Sequence, residues 1–199
     1  MRSNWFGLMA LLLCAAAVAA RCAVPQDMPA ESRSKLESVF RQTVDILWED
    51  TDIVWHEGRH DVCIRLHRLI VEMDPTLIES YDLAAWLLDS ADQEQEAIAL
   101  YRKGIAANPD SYELYFDLGM LYRGKKDDRN AELNFIAATD RSVPAFVWKT
   151  LAHSRERLGK LSEALAAWEK AKALDPSDRV IEPNMARVRA KMEGQSKPD

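Results

Sequence analysis

Five consecutive residues, His56-Glu57-Gly58-Arg59-His60, have the types and spacing that could do chemistry. Two histidines four apart on one unbroken helix present both imidazoles on one face, where they can hold Zn2+. The glutamate after the first histidine would then activate the metal-bound water, and the chain would be a zinc-dependent hydrolase using the sequence at 56–60. Cys63 and His67 follow His60 at helical spacing and enlarge the set of metal-binding side chains. This chemistry requires a continuous helix through Gly58 and a third ligand. In the longer form of the pattern a glycine precedes a third histidine; here Cys63 occupies the glycine's place and His67 falls one residue late. Other catalytic signatures are absent from the sequence: no Gly-rich phosphate loop, no G-x-S-x-G and no C-x-x-C. No cofactor-binding pattern occurs either.

The elements that would carry these residues are set by a repeat. Pro75, Pro109, Pro144 and Pro176 are separated by 34, 35 and 32 residues, three of them in the contexts MDPT, NPDS and LDPS. Other columns keep the register: Tyr81, Tyr115 and Trp148; the small Ala85, Gly119 and Ala152; Ala97, Ala131 and Ala164; the aromatic Tyr101, Phe135 and Trp168. Within a unit, residues 78–90 and 94–107 each carry apolar side chains at helical spacing. A small residue in the first helix allows close approach of the second, an aromatic fills the space between units, and the proline ends the second helix.

In this order of aromatic, small residue, alanine, aromatic and proline, the chain resembles the tetratricopeptide repeat family. The resemblance implies an all-α fold, a right-handed superhelix (α-solenoid) of stacked helix–turn–helix repeats with a C-terminal capping helix. Four repeats fall at about 44–77, 78–111, 112–144 and 145–178 within the span 33–178, and cover about two thirds of the chain. Arg155 and Leu88 stand where the family usually has tyrosine, as Tyr122 does. The first repeat is degenerate, with Leu47, Thr51, Cys63 and His67 in the key columns, but GRHDVCI from Gly58 parallels GKLSEAL from Gly159. That register puts Gly58 in a turn and the two histidines on different helices, with His60 capping the turn and Cys63 and His67 packed between helices. Residues 33–43 extend the first helix backwards. Residues 179–193 form the cap, with Val180, Met185, Val188 and Met192 inward and Arg187, Arg189 and Lys191 outward; 21–32 and 194–199 are expected to be loose.

The family lines its concave surface with the first helix of each repeat. By resemblance the inward positions are Trp48, Asp52, Trp55, Asp82, Trp86, Phe116, Met120, Lys149 and His153. Only Lys149 matches in type the Lys and Asn that the family uses to clamp a C-terminal carboxylate, so that function does not carry over. The set is instead aromatic and acidic, which suits an apolar protein or peptide segment with basic residues. The alternative is that Trp48, Trp55 and Trp86 are core packing or are covered by the N-terminal segment.

Composition narrows the class. Of 199 residues, 48% are hydrophobic and 29% charged, as in a folded protein, and the net charge is −6. The densest basic stretch, Arg123–Arg129, is interrupted by Asp127 and Asp128, so nucleic acid is not an expected partner. At the N-terminus, Arg2 precedes an uncharged apolar run over 5–20, and Val18 and Ala20 suit a signal peptidase cutting after Ala20. The chain is therefore expected to be exported, to the periplasm or beyond, with membrane contact only through this segment if it stays uncleaved as a short anchor. Lipidation at Cys14 or Cys22 is disfavoured, because Leu13 and Arg21 precede them where a small residue is needed. Cys22 and Cys63 would remain to pair or not. Two classes stand at this point: a non-catalytic interaction scaffold, or the metal-dependent hydrolase.

Overall fold

The computed structural model describes residues 27–195; the signal-like run 1–20, Cys14, Cys22 and the tail 196–199 lie outside them. Among the described residues there are nine α-helices and no strand. The chain forms two compact units, divided between Pro109 and Asp110.

The first unit holds α1 (Ala30–His56), α2 (His60–Met73), α3 (Ile78–Ser90) and α4 (Glu94–Ala107). These pair as α1 with α2 and α3 with α4, and α2 also packs on α3. The second unit holds α5 (Tyr112–Gly124), α6 (Asp128–Thr139), α7 (Ala145–Arg157), α8 (Leu161–Leu174) and α9 (Ile181–Gln195). Here α5 pairs with α6, α7 with both α6 and α8, and α9 closes on α8.

The turns inside the helix pairs share one design. Gly58, Asp92, Lys126 and Gly159 have φ of 71°, 59°, 63° and 75°, the left-handed conformation that ends a helix. In each case the next N–H reaches back five residues: Arg59 to the Val54 carbonyl, Gln93 to Leu88, Asp127 to Tyr122 and Lys160 to Arg155, at 2.8–2.9 Å. Between pairs, the aspartate before the proline accepts the N–H two residues on, Thr76 to Asp74 Oδ1 at 3.0 Å and Ser177 to Asp175 Oδ1 at 3.1 Å. The recurring MDPT and LDPS contexts are thus turn chemistry.

The repeat columns form the core. Tyr81, Ala85, Ala97, Tyr101, Phe135, Ala152, Ala164 and Trp168 are all buried. The degenerate first pair packs with its own substitutes: Thr51, Cys63 and His67 are buried, Cys63 Sγ lies 3.8 Å from the Thr51 carbonyl, and His67 Nδ1 meets Ser80 Oγ at 3.2 Å. Arg155, in the column where Tyr122 stands, serves a different end. It lies 3.5 Å from the buried Glu132, whose other oxygen accepts from Lys160 at 2.6 Å.

Two boundaries differ from expectation. Helix α1 starts at Ala30, three residues inside the segment read as a loose linker, because Pro29 can precede a helix and its carbonyl accepts the Arg33 N–H. The last helix starts at Ile181, since Asp178 Oδ1 takes the Val180 N–H, and it reaches Gln195 within the stretch read as tail. Val180, expected to face inward, is exposed, and Ile181 is buried with Met185 and Val188.

Candidate functional site

The turn at Gly58 decides the zinc-hydrolase reading. Helix α1 ends at His56 and α2 begins at His60, so the two histidines are not one turn apart on one helix. Their neighbours also draw them elsewhere. The His60 ring lies 5.2 Å from that of Trp55, and Glu57 Oε2 accepts from Arg59 at 3.0 Å. His60 makes no capping bond; it is the first helical residue and an aromatic contact, which corrects its expected role. Cys63 and His67 are inside the helix pair, where burial raises the thiol's pKa and lowers the imidazole's to about 4. Among the described residues, no three His, Cys, Asp or Glu side chains gather as a metal site. A depression of about 320 Å3 between α2 and α4 is lined by Arg68, Glu72, Glu96, Leu100 and Lys103. Its charges are matched, Arg68 with Glu96 at 2.6 Å and Lys103 with Glu72.

The first unit carries an aromatic surface. Trp55 and Trp86 stack at 5.7 Å between ring centroids, tilted by 34°, and the His60 ring also lies against Trp55. Trp86 is 52% exposed, and Trp55 is half-buried against its two neighbours. Trp48 is 38% exposed and stands edge-on to His67 at 5.6 Å, so it both covers the degenerate core and reaches solvent. Of the two acids assigned here, only Asp52 is open; its carboxylate lies 4.0 Å from His56 one turn on. Asp82 is half-buried and accepts the Tyr101 hydroxyl proton at 2.7 Å, so it serves the fold before it serves a ligand.

In the second unit the assigned residues are tied into packing. Phe116 sits against Phe135 at 5.6 Å and edge-on to Phe146 at 5.3 Å. Met120 is half-buried. Lys149 donates to Asp178 at 2.6 Å, so its ammonium is already matched. His153 stands edge-on to Trp168 at 4.9 Å; burial, then the nearby Arg187 cation, lowers its pKa. The structure therefore joins Trp55 and Trp86 in one patch, with Asp52 and Trp48 on the same helix as Trp55. It leaves Asp82 and Lys149 occupied elsewhere. His60 was missed as a patch residue, and only its position directly after the Gly58 turn could have signalled it.

Residues 78–111 and 145–178 each match a family model described as the tetratricopeptide repeat. No curated protein matches the chain in sequence. Solved structures do match in fold. MamA is similar at 20% identity and a TM-score of 0.60, over 74% of this chain and 81% of its own. PilF of Pseudomonas aeruginosa is similar at 17% identity and a TM-score of 0.59, over 78% and 71%. The second repeat domain of human RPAP3, in complex with the HSP70 peptide SGPTIEEVD, is similar at 21% identity and a TM-score of 0.51, over 58% and 98%. These likenesses identify the fold as that of tetratricopeptide-repeat solenoids.

Proposed function

The chain is a tetratricopeptide-repeat protein, and on that premise we propose that it is a non-catalytic interaction module. Its partner is a protein or peptide segment with an apolar anchor beside a basic residue. The observation that carries this reading is the stacked Trp55–Trp86 pair, with Trp86 more than half exposed. A rigid aromatic pair offers large contact area at small entropic cost, and soluble monomers seldom leave such a surface bare without use. The open carboxylate of Asp52 on the same helix favours a cation on the partner. The RPAP3 domain holds a peptide with two glutamates and a terminal aspartate. Here Lys149 is matched by Asp178, and the exposed charge near the patch is negative, which supports a partner of the opposite sign.

The test is a fluorescence titration with short peptides carrying an aromatic anchor next to lysine, against the same peptides with glutamate. The lysine series should bind and the glutamate series should not. Trp86→Ala should weaken binding about thirtyfold, the usual loss for a central aromatic anchor. Its melting temperature should stay nearly unchanged, because an exposed side chain contributes little to its own fold. A large fall in melting temperature with binding intact would make these tryptophans core.

The place of action belongs to the same proposal. The Arg2, apolar run and Val18–Ala20 pattern supports export followed by cleavage. Terminal sequencing of the protein from its host should begin at Arg21. An intact Met1 on soluble cytoplasmic protein would end the export reading and leave the interaction reading standing.

A further inference from the structure

Helix α1 presents a second apolar surface, away from its tryptophans. Val39, Ile46 and Ile53 are 55%, 59% and 55% exposed and fall seven residues apart along the same side of the helix. Trp55 comes nine residues after Ile46 and Trp48 nine after Val39, half a helical turn out of phase, so the two surfaces are separate. The register explains why the stripe is apolar. Ile46 and Ile53 occupy the columns of Ser80 and Leu87 in the next pair, and of Val147 and Ser154 in the last, all four of which are buried. Ser80 is buried against His67 of the pair before it, and Val147 packs with Ala138 of the pair before it. In those pairs this side of the first helix is a stacking face; on α1 it is bare.

We propose that this face is covered by a second copy of the chain, with the two α1 helices antiparallel about a two-fold axis at Ile46. Two features of α1 favour that occupant. The equal spacing of seven makes the stripe its own complement: with Ile46 on the axis, Val39 meets the partner subunit's Ile53 and Ile46 meets the partner's Ile46. The charges agree with the antiparallel direction. From Asp45 to His56 the helix carries four acids, Asp45, Glu49, Asp50 and Asp52, and no Lys or Arg, whereas Ala30–Val44 carries Arg33, Lys35 and Arg41 against Glu31 and Glu37. A parallel pair would set the acidic halves side by side; the antiparallel pair about Ile46 sets Glu49, Asp50 and Asp52 opposite positions 43, 42 and 40, around the partner's Arg41, while Lys35 falls opposite the partner's Glu57. A strict seven-residue stripe also drifts about 20° per repeat on a straight helix, so the two helices would wrap with a left-handed crossing.

Sedimentation equilibrium on the protein as isolated from its host tests this. The expected result is a concentration-dependent dimer. Ile46→Glu puts two like charges on the axis and should raise the dissociation constant roughly a hundredfold, with the melting curve of the monomer unchanged. Ile46→Cys should give a disulfide-linked dimer under mild oxidation, while Leu133→Cys, an equally exposed position on α6, should not. A monomer at every concentration overturns the proposal, as does a dimer that withstands Ile46→Glu and is not linked by Ile46→Cys. A disulfide formed within one chain from position 46 to Cys14 or Cys22 would also overturn it and assign the face to the chain's own N-terminal segment.

Discussion

Glycine exchanges at two positions should shift stability in opposite directions for reasons visible atom by atom. Lys126 occupies the left-handed turn column that Gly58 and Gly159 fill elsewhere, with φ of 63°. A side chain there costs roughly 1 kcal/mol that glycine does not incur, so Lys126→Gly should stabilise the fold by up to about 1 kcal/mol and raise the melting temperature. Gly119 lies inside α5, where alanine would ordinarily be favoured by about 1 kcal/mol. A Cβ at that position, however, would stand 2.6 Å from Cε1 of the fully buried Phe135 ring. Gly119→Ala should therefore destabilise by about 1–2 kcal/mol net. Thermal melts of both variants check the pair; a Gly119→Ala protein as stable as its parent would mean that the ring can yield. At this scale the sequence was partly legible. The Gly58 turn could be read because Gly159 mirrors it, but Asp92 and Lys126 could not, since neither residue type demands a left-handed backbone. The resemblance put Trp86 on the concave side but left open whether it was core, and its exposure is read only in the structure. That Tyr101 holds Asp82, and Asp178 holds Lys149, could not be read either, because such bonds depend on how far two side chains reach across neighbouring segments.

The helix pairs are set by small residues where two helices meet. Ala131 on α6 and Ala164 on α8 are fully buried at equivalent positions, while Ala173, near the end of α8, is exposed. A glutamate at either of the first two has neither room nor a counter-ion, so Ala131→Glu and Ala164→Glu should each cost several kcal/mol, whereas Ala173→Glu should be nearly neutral. Denaturant melts of the three variants measure the difference, and equal midpoints would contradict the packing. Elements were the most legible level, because periodic alanines, aromatics and prolines report helix packing directly. Their ends were less so. Ala30, Glu31 and Ser32 suit a helix but carry no apolar period to announce it. Val180 and Ile181 are adjacent and alike in polarity, and only the Asp178 carboxylate on the Val180 N–H selects which of them turns inward. The HEGRH pattern was ambiguous as a five-residue string and was resolved only by the turn that its glycine makes.

A repeat protein draws its stability from contacts between neighbouring helix pairs, so a change at one pair need not be felt equally everywhere. Two titrating groups make this testable, one in each unit. His67 in the first unit is neutral and buried, with its pKa lowered to about 4 from an ordinary 6.5. The unfolded chain takes up a proton there that the folded chain refuses. Stability from this group is complete above pH 6.5 and falls as the pH drops towards 4, by up to about 3 kcal/mol. Glu156 in the second unit is held down to about 2 from 4.5, first by the Arg187 guanidinium and then by Lys191, both on the closing helix α9. Its contribution is complete above pH 4.5 and is lost as the pH falls towards 2. It amounts to about 2 kcal/mol once the half-exposed cations are allowed for. On acidification, then, α1–α3 should loosen in the window from pH 6.5 to 4; in the second unit His153, whose pKa is also lowered, contributes a loss that begins below 6.5, and the Glu156 hold on α9 goes only below about 4.5. Hydrogen exchange read segment by segment at pH 7, 5 and 3.5 would separate the two events. His67→Phe places in that column the residue type that Phe135 supplies in the third repeat. It should remove the upper pH dependence of α1–α3, whatever it does to the midpoint, and leave the response of the second unit in place. An upper window in α1–α3 that persists in His67→Phe would show that some other group governs the acid response of the first unit.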